Sequence, residues 1–241
     1  MTTMTEPKSS VDRPNRYQAY VRWVEYICRT DPGARTILRK GLGRGLDDVR
    51  YVRGMHRILT RWLPQGADTP AAEQRAYYTV ASLIAERPRH SFAHDEPEPE
   101  PSTEHADGRT PTAEPDDAPE TGITGKLQGE SLGAAFAAAV LAGGNSREIR
   151  QSTAETRLHL LTRQSLDGLH RHLPSAVRFL RDADAPVDYA RLIADLTVWP
   201  ALQGRISRRW LQDFYSPLAK SRNDAANAAD ADESQNPDTD Q

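Results

Sequence analysis

The chain has 241 residues, 37% hydrophobic and 27% charged, with a formal net charge of −3. That length accommodates one or two domains, and the single cysteine, Cys28, excludes an intramolecular disulfide framework or a thiolate metal cluster. No apolar run approaches the roughly 18 residues of a membrane span and MTTMTEPKSSVDRP is polar throughout, so a soluble cytoplasmic protein is expected.

The periodicity is helical almost everywhere, and convincing period-two alternation is absent. A first helix is predicted over about 17–29, with Tyr20, Val21, Val24, Ile27 and Cys28 on one side. Asp31-Pro32-Gly33 breaks it, and a short helix carries Ile37 and Leu38 before GLGRG ends it. Asp47 or Asp48 caps a third helix whose core face is Val49, Val52, Met55, His56, Leu59 and Leu63. Pro64-Gln65-Gly66 stops that helix. A fourth follows over about 71–86, with Ala76, Tyr77, Val80, Leu83 and Ile84. After a Pro/Glu-rich stretch, Ser131 caps a helix in ESLGAAFAAAVLAGG whose small residues admit a close neighbour, and Gly143-Gly144 terminates it. Further helices are predicted over about 153–162 (Leu158, Leu161), 166–181 (Leu169, Leu173, Val177, Leu180, with Pro174 near a start or kink), 188–197 (Tyr189, Leu192, Ile193, Leu196) and 204–218.

The expected fold is all-α: two small helical lobes of about nine helices in total, joined by a disordered acidic linker. The divisions are a disordered N-terminus at 1–14, an N-terminal lobe at 15–90, the linker at 91–130, a C-terminal bundle at 131–222 and an acidic tail at 223–241. Linker and tail hold almost no large apolar residues, so burial cannot offset the entropy of ordering them. Charge follows the same divisions. Residues 15–90 carry +7 and residues 131–222 carry +5, whereas 91–130 carry −9 and 223–241 carry −6. Two basic bodies are therefore masked by two acidic segments. Arginine outnumbers lysine 27 to 4, a bias that suits phosphate recognition but also follows from GC-rich coding.

In RISRRWLQDFY, a helical wheel gathers Arg205, Arg208, Arg209 and Gln212 in one arc, opposite Ile206, Trp210, Leu211, Phe214 and Tyr215. Rings and cations are segregated, which disfavours a base-stacking platform and leaves an arginine ridge that is either a phosphate track or a solvated face. Asp213, one turn after Arg209, is expected to pair with it. In ILRKGLGRGLDD, Arg39, Lys40 and Arg44 surround three glycines. No strand precedes them and no GK[ST] follows, so this is no nucleotide-binding loop. It reads either as a basic loop against a nucleic-acid backbone or as a helix C-cap with a linker. Arg50, Arg53, Arg57 and Arg61 recur at spacings of three and four, a stripe of like charge that calls for a polyanion or nearby acids. His170 and His172 point apart on a helix, His90, His94 and His105 fall at or beyond the start of the linker, and His56 and His159 lack companions at ligand spacing. No metal, cofactor or catalytic constellation is expected.

The order of YVRWVEYI, VRGMHRIL, ESLGAAFA, TRLHLLTRQSLDGLHRHLPSAVRFLR, APVDYARLIADLTVW and RRWLQDFY resembles the CasB family, the small subunit of the type I-E CRISPR surveillance complex Cascade. The resemblance implies a non-catalytic helical subunit, present as two copies beside the guide-RNA backbone proteins, that helps hold target DNA and the displaced strand. Guide pairing reads sequence there, so the subunit needs only backbone contacts. By motif position it implicates Arg39, Lys40, Arg44, Arg57, Arg157, Arg171, Arg205, Arg208 and Arg209. Arg50, Arg53 and Arg178 are added from charge pattern. The expected partners are other Cascade subunits, guide RNA, target DNA with its displaced strand, and a second copy of the chain. The alternative is a protein–protein adaptor whose arginines bind acidic protein surfaces.

Overall fold

The computed structural model describes residues 13–46, 48–64, 70–92, 129–142 and 149–235. Expectations for residues 1–12, Asp47, Gln65, Gly66, the linker from 93 to 128, Gly143, Gly144 and 236–241 lie outside the described residues, as do those for the side chains of Val49 and His90.

Eight α-helices and one 3-10 turn make up the described fold: α1 (Arg13–Thr30), α2 (Pro32–Lys40), α3 (Val49–Leu59), α4 (Ala71–Glu86), the 3-10 turn Arg89–Phe92, α5 (Leu132–Leu141), α6 (Gln151–Thr162), α7 (Leu166–Asp182) and α8 (Tyr189–Gln235). The caps follow local chemistry. Asp31 accepts from the Ala34 amide at 2.9 Å, with Pro32 pre-set for the first turn of α2. Ser131 and Ser165 do the same for α5 and α7. The helices expected over 188–197 and 204–218 are one element, α8, bent where Leu202 leaves helical geometry at φ −126°. Pro200, two residues earlier, removes an amide donor and crowds the preceding turn, a sufficient cause for the bend. Pro174 lies inside α7 without ending it.

The predicted core faces are largely observed. Tyr20, Val24 and Cys28 of α1 are buried, as are Met55 and Leu59 of α3 and Leu169, Leu173, Val177 and Leu180 of α7. Burial pushes the Cys28 thiol up to about 12, so it is an inert apolar group. His56, expected in the core, is instead exposed, with Nδ1 at 2.8 Å from the Tyr78 hydroxyl. The α4 helix exceeds its predicted face: every residue from Ala76 to Ala85 is buried, because it packs against α1, α2, α7 and α8 together. Buried side chains of both halves consequently form one continuous cluster.

Two boundaries move. Phe92, placed in the linker by composition, is buried beneath the guanidinium groups of Arg35 and Arg87, at 5.6 and 5.1 Å from its ring centre. Arg35 also donates to the carbonyls of Ala85 and Arg87, closing the end of α4. The acidic tail is helical through Gln235, although residues 221–228 are exposed. NDAANAADADESQ has too little apolar surface to pack, but its alanines favour helix without packing.

The close neighbour admitted by the small residues of α5 is α8. A Cβ added at Gly133 would stand 1.9 Å from the Trp210 carbonyl oxygen. Backbone cannot yield as a flexible side chain does, so Gly133→Ala is expected to lower stability by about 1–3 kcal/mol. Urea denaturation checks this, and an unchanged midpoint would show that the two helices do not approach so closely.

Candidate nucleic-acid interface

The basic turn after α2 is partly anchored. Gly41 caps α2 and packs so tightly that an added Cβ would meet Met55 Sδ at 2.2 Å. Gly43 has φ +70° and open space around it, a conformation that favours glycine. Arg39 and Lys40 are exposed beside this turn. Arg44 lies 4.6 Å from the Tyr51 ring centre and 3.5 Å from Asp48, so its charge is partly committed.

On α3, Arg50, Arg53 and Arg57 are exposed on the side opposite Met55 and Leu59, with no ion-pair partner among the described residues. Arg61, past the end of α3, lies 5.2 and 5.4 Å from the ring centres of Trp23 and Trp62. Here cation and rings do share a surface, unlike in the last helix. The spacing of residues along the chain does not show this pairing, because Trp23 comes from α1.

In the second half the arginines differ in availability. Arg157 rests over the Phe179 ring at 4.6 Å and reaches Ser175 Oγ at 3.4 Å. Arg178 is bound to Glu86 of α4, whose hydrogen bond and charge raise the guanidinium above its ordinary value. Arg171 is exposed at the edge of a cleft that also holds Arg75 and the glycines of the basic turn. Arg75 was not singled out from the sequence; on a helix buried nearly all round, no charge stripe marks it.

The last helix corrects two expectations. Ile206, Trp210 and Phe214 are buried and Arg205 and Arg208 exposed, as the wheel predicts. Arg209 is not part of the outer ridge. Its Nη2 donates at 2.5 Å to Asp195, a carboxylate 1% exposed on the near side of the bend. Asp213 consequently does not pair with Arg209; it accepts instead from Ser131 Oγ at 2.5 Å. Asp195 also accepts from Arg191 Nε at 3.2 Å and Trp210 Nε1 at 2.7 Å. A buried carboxylate attracts every donor within reach, and three converge on it.

Among the described residues no group of three His, Cys, Asp or Glu could hold a metal ion, and no helix is long and apolar enough to cross a membrane. His159 Nε2 meets the Tyr215 hydroxyl at 2.9 Å, and burial together with Arg75 pushes His170 down to about 3. Fold and surface together define an all-α protein that displays arginine on rigid helices. The chain belongs to the family of CRISPR-associated protein Cse2, whose family model matches residues 34–215.

Two solved chains titled as parts of a CRISPR RNA-guided surveillance complex are similar. One is 29% identical with a TM-score of 0.65, and the other, from a pre-nicking state, is 28% identical with a TM-score of 0.66. Each likeness covers 88% of this chain and 98% of the other. A CasB crystal structure from M. ruber shares the fold at 23% identity and a TM-score of 0.55, over 86% of this chain and 97% of that one. No curated protein matches the chain. The family read from motif order is thereby established.

Proposed function

We propose that the chain is a non-catalytic subunit of a type I-E surveillance complex, gripping nucleic-acid backbone without reading sequence. The observation that carries this is the uncommitted stripe on α3. Arg50, Arg53 and Arg57 stand exposed on a helix whose opposite face is locked into the core. Like charges on one face repel, and phosphates relieve that repulsion. Arg39, Lys40, Arg171, Arg205 and Arg208 add to the accessible positive surface. Arg178 and Arg209, held by internal carboxylates, are assigned to structure, and Arg44 and Arg157 to partial contact. The ligands in this reading are guide RNA, target DNA and the displaced strand, with other Cascade subunits and a second copy of the chain as protein partners, in the cytoplasm.

The test is target-DNA retention by the assembled complex across a salt series. The combined reversal Arg50→Glu, Arg53→Glu and Arg57→Glu should weaken retention at least tenfold, with an unchanged melting temperature. It should also flatten the salt dependence by about 0.7–0.9 log units per log salt for each phosphate no longer neutralised. Unchanged retention with normal assembly would favour an adaptor that touches only protein.

A further inference from the structure

The turn after α2, the start of α4 and the start of α7 enclose a cleft of 510 Å³ whose lining includes Gly43, Gly45, Arg75, Asp167 and Arg171. Among the described lining residues, two of the three charged side chains are cationic. Arg75 rises from α4, is only 16% exposed, and gives one guanidinium nitrogen to Asp167. Its Nε is buried with no hydrogen-bond partner among the described residues. Asp167 belongs to α7 and is 78% exposed, so the pair joins a largely buried cation to a solvent-facing anion.

That asymmetry makes the pair exchangeable. Exposed ion pairs add little stability because water competes for the carboxylate. The buried guanidinium, by contrast, needs an anion, since a desolvated charge without one is costly. A phosphodiester, like a carboxylate, presents two charged oxygens and suits the planar donor fork of arginine. The walls favour the same ligand. Gly43 has φ +70°, and beyond its chain neighbours no atom of the described residues lies within 4 Å of where a Cβ would stand, leaving its backbone open to approach there. Arg171 stands exposed at the same cleft. Ala71 and Ala72, also in the lining, open α4, whose N-cap residue Pro70 gives the first-turn amides no side-chain bond.

We propose that this cleft is a phosphate subsite for nucleic-acid backbone, in which Asp167 holds Arg75 until a phosphodiester group displaces it. The inference rests on the proposed nucleic-acid role and adds to it one located contact and an internal competitor. With Asp167 as stand-in anion, the subsite discriminates against weakly placed polyanions, because each must displace a carboxylate already bound. The cleft also joins the two helical halves, so an engaged phosphate bridges α4 and α7.

The experiment measures binding of a labelled 20-nucleotide single strand to the full chain at fixed low salt, by fluorescence anisotropy. Asp167→Asn keeps the shape and removes the competing charge. It is expected to tighten binding about threefold or more, the modest gain that removing a solvent-exposed competitor allows. Arg171→Gln, at an exposed position, should weaken binding by a similar factor. Arg75→Gln should weaken it too, and Arg171→Gln serves if that variant does not fold. Unchanged or weaker binding by Asp167→Asn overturns the proposal, as does no measurable binding by wild type and variant alike. If the α3 reversal weakens binding while Asp167→Asn does nothing, the cleft fails and the broader function stands. If Asp167→Asn tightens binding while the α3 reversal is silent, the cleft stands and the α3 reading fails. A parallel titration with inorganic phosphate separates the sources. Phosphate binding sensitive to Asp167→Asn, with oligonucleotide binding insensitive, would overturn the assignment to nucleic acid.

Discussion

Asp195→Ala is expected to lower folding stability by about 3–5 kcal/mol, because it strands charge and donors in the interior. The carboxylate is 1% exposed and accepts from Arg191, Arg209 and Trp210. Arg191 is itself 7% exposed, so the substitution takes a carboxylate away from a buried guanidinium. Asp195 lies before the bend at Leu202, whereas Arg209 and Trp210 lie after it. The network therefore fixes the angle between the two arms of α8 as well as joining charges. Asp195→Asn retains the shape and one acceptor, so its loss should be smaller. Urea denaturation reads both: the midpoint should fall with little change in slope if the folded state keeps its compactness. A midpoint within error of wild type for Asp195→Ala would mean that the carboxylate is hydrated and the network is not structural.

How much of this was legible in the sequence depends on what information a single helix contains. Apolar faces were readable because the 3.6-residue period reports which side of a helix avoids water. Tyr20, Val24 and Cys28 on α1 and Leu169, Leu173, Val177 and Leu180 on α7 illustrate it. Caps were readable where a side chain bonds its own neighbours, as Ser131 does with Ala134. The Arg209 partner was not readable. The wheel places Arg209 at the edge of an arc shared with Arg205 and Arg208, and only the bend brings Asp195, fourteen residues earlier, against that edge. Once Asp195 claims Arg209, Asp213 is left for Ser131. The α4 helix was underestimated for a related reason. Thr79 and Ser82 are polar by composition, yet they are buried and bonded to His170 and to the Tyr78 carbonyl. Arg50, Arg53 and Arg57 of the α3 stripe were legible because no ion pair among the described residues claims them, whereas the meeting of Arg61 with Trp23 of α1 was not. The Arg75 cleft was not, because its residues come from three distant segments.

Trp210→Ala should cost about 3–5 kcal/mol by the cavity it leaves. The indole is fully buried, its ring centre 5.2 Å from that of Trp199, and its own backbone carbonyl lies against Gly133 of α5. Three links thus meet at one residue: the tilted ring contact across the bend, the bond to Asp195 and the contact with α5. Trp210→Phe separates them. It preserves most of the apolar volume but removes the Nε1 donor to Asp195, and should cost about 1–3 kcal/mol. Because Trp210 and Asp195 share a bond, the double variant carrying both alanines should fall short of additivity by roughly 0.5–3 kcal/mol. Measured by denaturation, full additivity would mean that the two act separately. The same anchor matters for the proposed function, since Arg205 and Arg208 project from the turns around Trp210. Their display then depends on a ring and a carboxylate that are both buried. Trp210→Phe, which keeps the helix seated, should leave the nucleic-acid binding proposed for those arginines close to wild type while the stability falls.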